Sequence, residues 1–165
     1  VISKFHKETK NLHHPSFKNY TFNVFYKDYK IVKKHLPSQL QTISKPELAN
    51  FFDEIFKSPK SIVHGDWHKD QIFKSKGKWC IIDFGKSYRG PSLLDHANYF
   101  LHQKNNKKIC EELKISKFMF KKAKIISSII TLSWLELCKE KYIKYDYIKE
   151  IKEQKELIHC NYKGL

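Results

Sequence analysis

Two short motifs in the middle of the chain constrain its fold more than any other feature. The first runs from His64-Gly65-Asp66 to Gln71, and the second is Ile82-Asp83-Phe84-Gly85. They set one carboxylate, Asp66, after a His-Gly turn and another, Asp83, at the end of an apolar strand. Phosphoryl transfer uses such a pair, because one carboxylate orients and deprotonates the attacking hydroxyl while oxygen ligands hold Mg²⁺ on the phosphates. We therefore expect Asp66 to be the catalytic base, and Gln71 with Asp83 to bind the metal.

These motifs resemble those of the aminoglycoside phosphotransferase and choline kinase family, whose members have the protein kinase-like fold. The family pattern reads H-G-D-x-H-x-x-N, then I-D-F/W-G/E, then G-x-x-x-x-D. Here the three blocks span residues 64–71, 82–85 and 90–95, and their order and short separations make the match specific. The resemblance implies a kinase that transfers a phosphoryl group from ATP, with Mg²⁺, to a hydroxyl of a small-molecule acceptor.

Two positions depart from the family pattern. Gln71 stands where the family has a metal-binding Asn; it keeps the amide carbonyl and reaches one methylene further. The sugar-phosphorylating maltokinase branch looks similar at this position, which favours a sugar acceptor. Lys86 follows the D-F-G block where many relatives carry an acidic or small residue. A lysine there either helps to bind the nucleotide phosphates or is simply solvated.

The resemblance also implies roles for the residues around the two carboxylates. His64 corresponds to a residue that braces the catalytic loop through hydrogen bonds. His68 either contacts the acceptor or phosphates or braces the loop as well. Asp95, at the start of a helix, resembles the buried carboxylate that caps and orients the loop, with a third metal ligand as the alternative. Trp67 and Tyr88 either wall the acceptor pocket or belong to the core.

Periodicity and turn residues predict an α+β lobe that is mainly helical. Helices are expected at residues 2–13, 21–35, 44–56, 92–103, 116–141 and 145–159, and short strands at 61–63, 71–73 and 78–82. Ser44-Lys45-Pro46-Glu47 is a capping box. The turn Lys74-Ser75-Lys76-Gly77 closes a β-hairpin that sets Gln71 and Asp83 at adjacent strand ends. The helix at 116–141 has more apolar residues than a single stripe, which indicates a buried central helix.

The 165 residues are expected to form one domain, with the catalytic loop and hairpin in residues 61–100 and C-terminal helices in 101–165. The first glycine is Gly65, so nothing upstream resembles a Gly-rich phosphate loop. The chain begins with Val1, and its only methionine is Met119. We therefore expect the C-terminal catalytic lobe of a kinase whose N-terminal nucleotide lobe is missing, and no phosphotransfer by this piece alone.

Composition bounds the environment and the partners. No apolar run approaches the roughly 20 residues of a membrane span and no secretory leader is visible, so a cytoplasmic protein is expected. The net charge of +15 comes from lysines scattered along the chain, which does not indicate nucleic acid binding. With only 17 acidic residues, a neutral or anionic acceptor is easier to accommodate than a polycationic aminoglycoside.

Two alternatives to an active kinase follow from the same residues. A catalytically silent kinase-like binding module, or a remnant of one, would also lack a nucleotide lobe. A metal-dependent hydrolase would use His64, Asp66, His68 and Asp83 as ligands of Zn²⁺ or Mn²⁺. The hydrolase hypothesis leaves the D-F-G block unexplained.

Overall fold

The computed structural model describes residues 1–103, 105–139 and 147–163, which form a mainly helical α+β fold. The helices are α1 (Ile2–Thr9), α2 (Phe22–Val32), α3 (Ser38–Thr42), α4 (Lys45–Phe56), α5 (Leu93–Tyr99), α6 (Lys107–Leu113), α7 (Lys117–Cys138) and α8 (Tyr147–Tyr162). The strands are β1 (Lys60–Val63), β2 (Ile72–Ser75), β3 (Lys78–Ile81) and β4 (Tyr88–Pro91), and single 3₁₀ turns cover Lys33–His35 and Lys69–Gln71. Among the described residues, none of the helices has both the length and the apolar character needed to cross a membrane.

Helix α7 is the buried centre of the fold, as its apolar composition predicted. It packs against α2, α4, α5, α6 and α8, and its core face includes Ile125, Ile126 and Ile129. Three of its large apolar residues lie on the surface instead: Phe118, Trp134 and Leu137 are 48%, 37% and 56% exposed. The side chain of Trp134 borders the candidate active site. The predicted end of this helix at residue 141 and the predicted start of the next at 145 lie outside the described residues.

Side chains define the starts of two long helices. Ser44 Oγ accepts a hydrogen bond from the backbone N–H of Glu47, and Glu47 Oε2 accepts one from the N–H of Ser44, so the predicted capping box is present. Helix α7 begins in a related way, with Ser116 Oγ accepting from the N–H of Met119 at 3.0 Å. These bonds satisfy donors that have no partner inside the first helical turn.

Helix α1 ends at Thr9, earlier than the predicted boundary at residue 13. The guanidinium of Arg89 donates to the carbonyl oxygens of Leu12, at 3.0 Å, and Lys10, at 3.3 Å. Both carbonyls lie beyond Thr9, so a remote side chain satisfies backbone groups of the segment that follows the helix. The prediction was wrong here because this donor comes from a remote part of the chain.

Helix α5 ends at Tyr99 rather than at residue 103, for a similar reason. The buried ammonium of Lys124 donates to the carbonyl oxygens of Leu101, at 3.3 Å, and Gln103, at 2.8 Å. The chain after α5 therefore turns around this lysine instead of continuing as a helix.

Two antiparallel sheets of two strands each hold the catalytic segment. Strands β2 and β3 form the predicted hairpin, with Ile72 opposite Ile81. Because β2 extends to Ser75, the turn consists of Lys76 and Gly77 alone, and both have the positive φ values (48° and 77°) of a two-residue type I′ turn. The pairing of β1 with β4 was not predicted, since the Gly-Pro end of β4 disfavours a strand and its partner is distant in sequence.

Candidate active site

The candidate active site is built on the loop that leaves β1 at His64. Gly65 in this loop has φ +81°, a conformation that favours glycine. A Cβ at this position would lie 2.7 Å from the carbonyl oxygen of Lys86, closer than real Cβ contacts. The loop therefore runs directly against the backbone that follows the D-F-G block, so the two motifs meet in space.

Asp95 holds this loop from behind. Its side chain is fully buried, and its two oxygens accept hydrogen bonds from the backbone N–H groups of His64, at 2.7 Å, and Gly65, at 2.9 Å. Nε2 of His6, on α1, lies 3.3 Å from Oδ2 of the same carboxylate. Nδ1 of the same ring shares a hydrogen bond of 2.7 Å with Ser61 Oγ. Asp95 thus faces the loop backbone rather than the hairpin that carries Asp83.

His64 links the first motif to the second. Its imidazole is buried, and Nε2 lies 2.8 Å from the carbonyl oxygen of Ile82, to which it donates. The ring also contacts the side chains of Trp67 and Phe84, with centroid distances of 5.0 and 4.9 Å. These contacts fit the bracing role that the family resemblance implied.

Asp66 lies at the centre of the site and pairs with two basic side chains, those of Lys86 and His68. Oδ2 is 2.7 Å from Nζ of Lys86, and Oδ1 is 3.2 Å from Nε2 of His68. Burial by itself raises the pKa of Asp66, but the hydrogen bonds from His68 and Lys86 outweigh it and lower the pKa to about 2. The hydrogen bond with Asp66 in turn raises the pKa of His68. Asp66 is therefore a carboxylate at neutral pH.

Lys86 is directed into the site and is only partly exposed. Only 25% of its side chain is exposed, and its ammonium lies 3.7 Å from the ring centroid of Trp134 as well as beside Asp66. The expectation of a simply solvated lysine was wrong, because an aromatic ring and a carboxylate converge on this position. Its alternative role at the nucleotide phosphates stays a prediction.

Gln71 and Asp83 come together at the end of the hairpin. The carbonyl oxygen of Gln71 accepts the N–H of Ile82 at 3.1 Å, so Asp83 lies one residue beyond this pair. Asp83 is exposed and has φ +64°, and Gln71 Oε1 accepts the N–H of His68 at 3.2 Å. The carboxylate and amide oxygens suit Mg²⁺, which prefers hard oxygen ligands and retains several waters.

The hydrolase alternative receives no support from this geometry. Its ligand set requires the ring of His64 to face the same point as Asp66 and Asp83, but that ring is buried against Ile82. Within residues 1–103, 105–139 and 147–163, no three His, Cys, Asp or Glu side chains are grouped so that they could hold a metal ion.

A cleft of about 510 Å³ opens in front of Asp66. Its walls come from the loop, from α5 and α7, and from α8, and the side chains that carry its charge and aromatic character are Asp66, Lys86, Trp134, Tyr147, Glu150 and Glu153. Trp67 also borders it, although its side chain is buried. Tyr88 does not line this cleft; its ring packs against that of Tyr20 in a tilted arrangement, with ring centroids 4.7 Å apart.

Sequence reasoning missed the residues that α7 and α8 bring to the cleft. Trp134 lies in the helix that the sequence predicted to be buried as a whole, so it was not expected at a site. Glu150 and Glu153 are three positions apart, which places them on the same side of a helix. Two carboxylates with this spacing in a basic chain could have indicated a binding site. Because they are far from Asp66 in sequence, nothing linked them to the catalytic loop.

No family model matches the chain, and no curated protein matches it. Among solved structures it is similar to a choline/ethanolamine kinase family protein from Mesorhizobium loti, with a TM-score of 0.65 and 13% identity. It is also similar to the choline kinase LicA from Streptococcus pneumoniae, with a TM-score of 0.60 and 14% identity, and to an ethanolamine kinase from Plasmodium vivax, with a TM-score of 0.55 and 16% identity.

These alignments cover 97%, 96% and 87% of this chain and 59%, 62% and 49% of the respective structures. The chain thus spans about 60% of the length of the first two. A further similar structure is LicA in complex with AMP, with a TM-score of 0.54. At this level of identity the matches establish the fold, and the predicted protein kinase-like α+β fold is confirmed.

Proposed function

We propose that this chain supplies the catalytic and acceptor-binding part of an ATP-dependent kinase for a small-molecule alcohol. The observation that carries the proposal is the placement of Asp66 at the cleft, next to the hairpin end that bears Gln71 and Asp83. The kinase-like fold and the choline and ethanolamine kinases among its structural neighbours support the same class of reaction.

In this proposal Asp66 orients the acceptor hydroxyl in line with the γ-phosphorus of ATP. The carboxylate accepts the hydroxyl proton as the new oxygen–phosphorus bond forms, while the bond to the bridging oxygen breaks and ADP leaves. Kinase transition states are loose, so positioning contributes more than a strong base does. A carboxylate with a pKa of about 2 is consistent with this role.

Gln71 and Asp83 hold Mg²⁺ in this proposal, and the metal, when bound, neutralises charge on the nucleotide phosphates. The hydrogen bond from the backbone N–H of His68 fixes the side-chain amide of Gln71. The side-chain carbonyl oxygen of Gln71 has a second lone pair available for the metal. Asp95 and His64 act as positioning residues, because they hold the loop backbone and not the reacting groups.

We further propose that the acceptor is an amino alcohol whose ammonium binds in the cleft. The net charge of the chain favours a neutral or anionic acceptor, and Gln71 favours a sugar. Charges more than about 8 Å away are largely screened at physiological ionic strength, so the charges of the cleft itself decide. There Asp66, Glu150 and Glu153 supply carboxylates and Trp134 supplies an aromatic face, which together recognise ammonium groups.

Calorimetric titration of the chain with choline and with 3,3-dimethyl-1-butanol, its neutral carbon analogue, tests the acceptor class. We expect choline to bind more tightly, and Trp134→Leu to weaken choline binding about tenfold. Trp79→Leu is the matched control, because Trp79 is also partly exposed and also lies under a lysine, Lys74, but on the hairpin. Equal binding of both alcohols, or tighter binding of glucose, would contradict the amino alcohol.

A catalytically silent binding module is the second candidate, and the ion pair of Asp66 with Lys86 favours it. A base that is permanently neutralised by a lysine leaves the cleft intact but disables catalysis. Such a module would bind choline and show no transfer from ATP in any form of the protein, which separates it from the kinase.

A further inference from the structure

The ammonium of Lys86 occupies a position that a protein offers to a cationic ligand. It lies 2.7 Å from a carboxylate oxygen of Asp66 and 3.7 Å from the ring centroid of Trp134. A carboxylate and an aromatic face around one point form a binding site for an ammonium group, including a quaternary one. The Lys86 ammonium therefore occupies the space between Asp66 and Trp134. An amino-alcohol acceptor would need this space to place its hydroxyl near Asp66 and its charge near Trp134.

Lys86 also lines a second cavity, of about 210 Å³. Asp28 and Ser133 border that cavity, and Asp28 Oδ1 accepts a hydrogen bond from Ser133 Oγ at 2.8 Å. The other oxygen of Asp28 accepts a hydrogen bond from the hydroxyl of Tyr20, so this carboxylate already has two donors. Lysine has a flexible four-carbon stem, so a ligand that enters the cleft can displace its ammonium without moving the backbone.

We propose that Lys86 is a specificity-determining residue that fills the ammonium subsite of the acceptor cleft, so that a cationic acceptor must displace it. This proposal rests on the proposed function, since it concerns the same cleft. Two ammonium groups cannot share one aromatic face without strong repulsion, and every cationic acceptor therefore binds in competition with Lys86. A neutral alcohol of the same shape meets no such electrostatic competition.

Titration of three proteins with choline and 3,3-dimethyl-1-butanol tests the proposal. The proteins are the wild type, Lys86→Gln, which keeps most of the stem without the charge, and Lys108→Gln, which removes the same charge from an exposed position on α6. We expect Lys86→Gln to bind choline about tenfold more tightly and the neutral alcohol with little change. Lys108→Gln should match the wild type for both ligands.

The outcomes separate this proposal from the function on which it rests. If the wild type binds choline and Lys86→Gln binds it equally or more weakly, Lys86 does not compete with the ligand. The proposal of an amino-alcohol acceptor is then retained, and the proposal for Lys86 is wrong. If neither protein binds choline, both proposals are wrong.

A measurement on the wild type keeps the test independent of the folding of Lys86→Gln. After reductive ¹³C-methylation of the lysines, the Lys86 resonance, identified by its absence in Lys86→Arg, should be shifted by the ring of Trp134. Saturating choline should remove this shift. A resonance that keeps its shift at saturation would overturn the displacement of Lys86.

Discussion

Asp95 accepts the backbone N–H of His64 at 2.7 Å, although 31 positions separate the two residues. Its other oxygen accepts the N–H of Gly65 at 2.9 Å, so one buried carboxylate on α5 fixes two consecutive peptide groups just ahead of Asp66. The orientation of the candidate base therefore depends on a helix that the chain forms only after the hairpin.

Substitution Asp95→Asn should destabilise the protein. The amide retains one acceptor but presents its NH₂ group to one of the two loop N–H donors, which leaves a buried donor without a partner. The free energy of unfolding in urea should fall by about 1–3 kcal/mol. Asp70→Asn, at an exposed position two residues after His68, should leave it unchanged. Equal stability of the two variants would show that the loop does not need Asp95.

A matched pair of glycine substitutions tests the close approach of the two motifs. Gly65 and Gly77 both have positive φ, of 81° and 77°, but only at Gly65 would a Cβ meet another atom, the carbonyl oxygen of Lys86. Gly77→Ala should cost about 1–2 kcal/mol through its backbone conformation. Gly65→Ala should cost roughly 1–3 kcal/mol more, because the loop must also move. Similar unfolding free energies for the two variants would contradict the contact.

The pKa of Asp66 should rise in Lys86→Gln. Burial raises this pKa, and without Lys86 only the hydrogen bond and the charge of His68 oppose it. In the wild type the folded-state pKa of about 2 lies below the ordinary value of 3.8, so the carboxylate stabilises the fold above that value and this contribution is lost as the pH falls towards 2. In the variant the loss should be smaller. NMR titration of the Asp66 carboxyl carbon, with Lys108→Gln as control, measures the shift; an unchanged pKa would rule out the ion pair.

The two hairpin residues should differ in their importance for the metal. Asp83→Ala should abolish the Mg²⁺-dependent part of ATP binding, whereas Gln71→Asn should retain much of it because an amide oxygen remains. Calorimetric titration with ATP in Mg²⁺ and in EDTA measures this part, and Asp53→Ala, at an exposed position on α4, is the control. Wild-type behaviour of Gln71→Ala would remove Gln71 from the metal site.

The parts of the site that sequence reasoning predicted are local in the chain. The hairpin followed from the turn residues Lys76 and Gly77, and the start of α4 followed from Ser44 and Glu47, because each feature depends on neighbours a few positions apart. What it missed depends on tertiary contacts. Strand β4 exists because β1 pairs with it, and the Lys86 position depends on Trp134, which looked like any aromatic residue of an apolar helix.

The net charge and the lining of the cleft lead to different expectations for the acceptor, for a related physical reason. A sum over 165 residues averages positions that are far apart, whereas a ligand responds to the groups that line its cleft. Helix α8 brings Glu150 and Glu153 to that cleft, and only the fold shows that they line the same cleft as Asp66.

If Asp66 is the base in phosphoryl transfer to an amino alcohol, its loss must slow the formation of the phosphorylated product. The reaction of ATP, Mg²⁺ and choline is followed by ³¹P NMR with the longest protein that the reading frame encodes, as wild type, Asp66→Asn and Asp70→Asn. We predict phosphocholine and ADP as products, a kcat lowered by about 10²-fold or more in Asp66→Asn, and an unchanged kcat in Asp70→Asn. Turnover by Asp66→Asn at the wild-type rate would show that Asp66 is not the base.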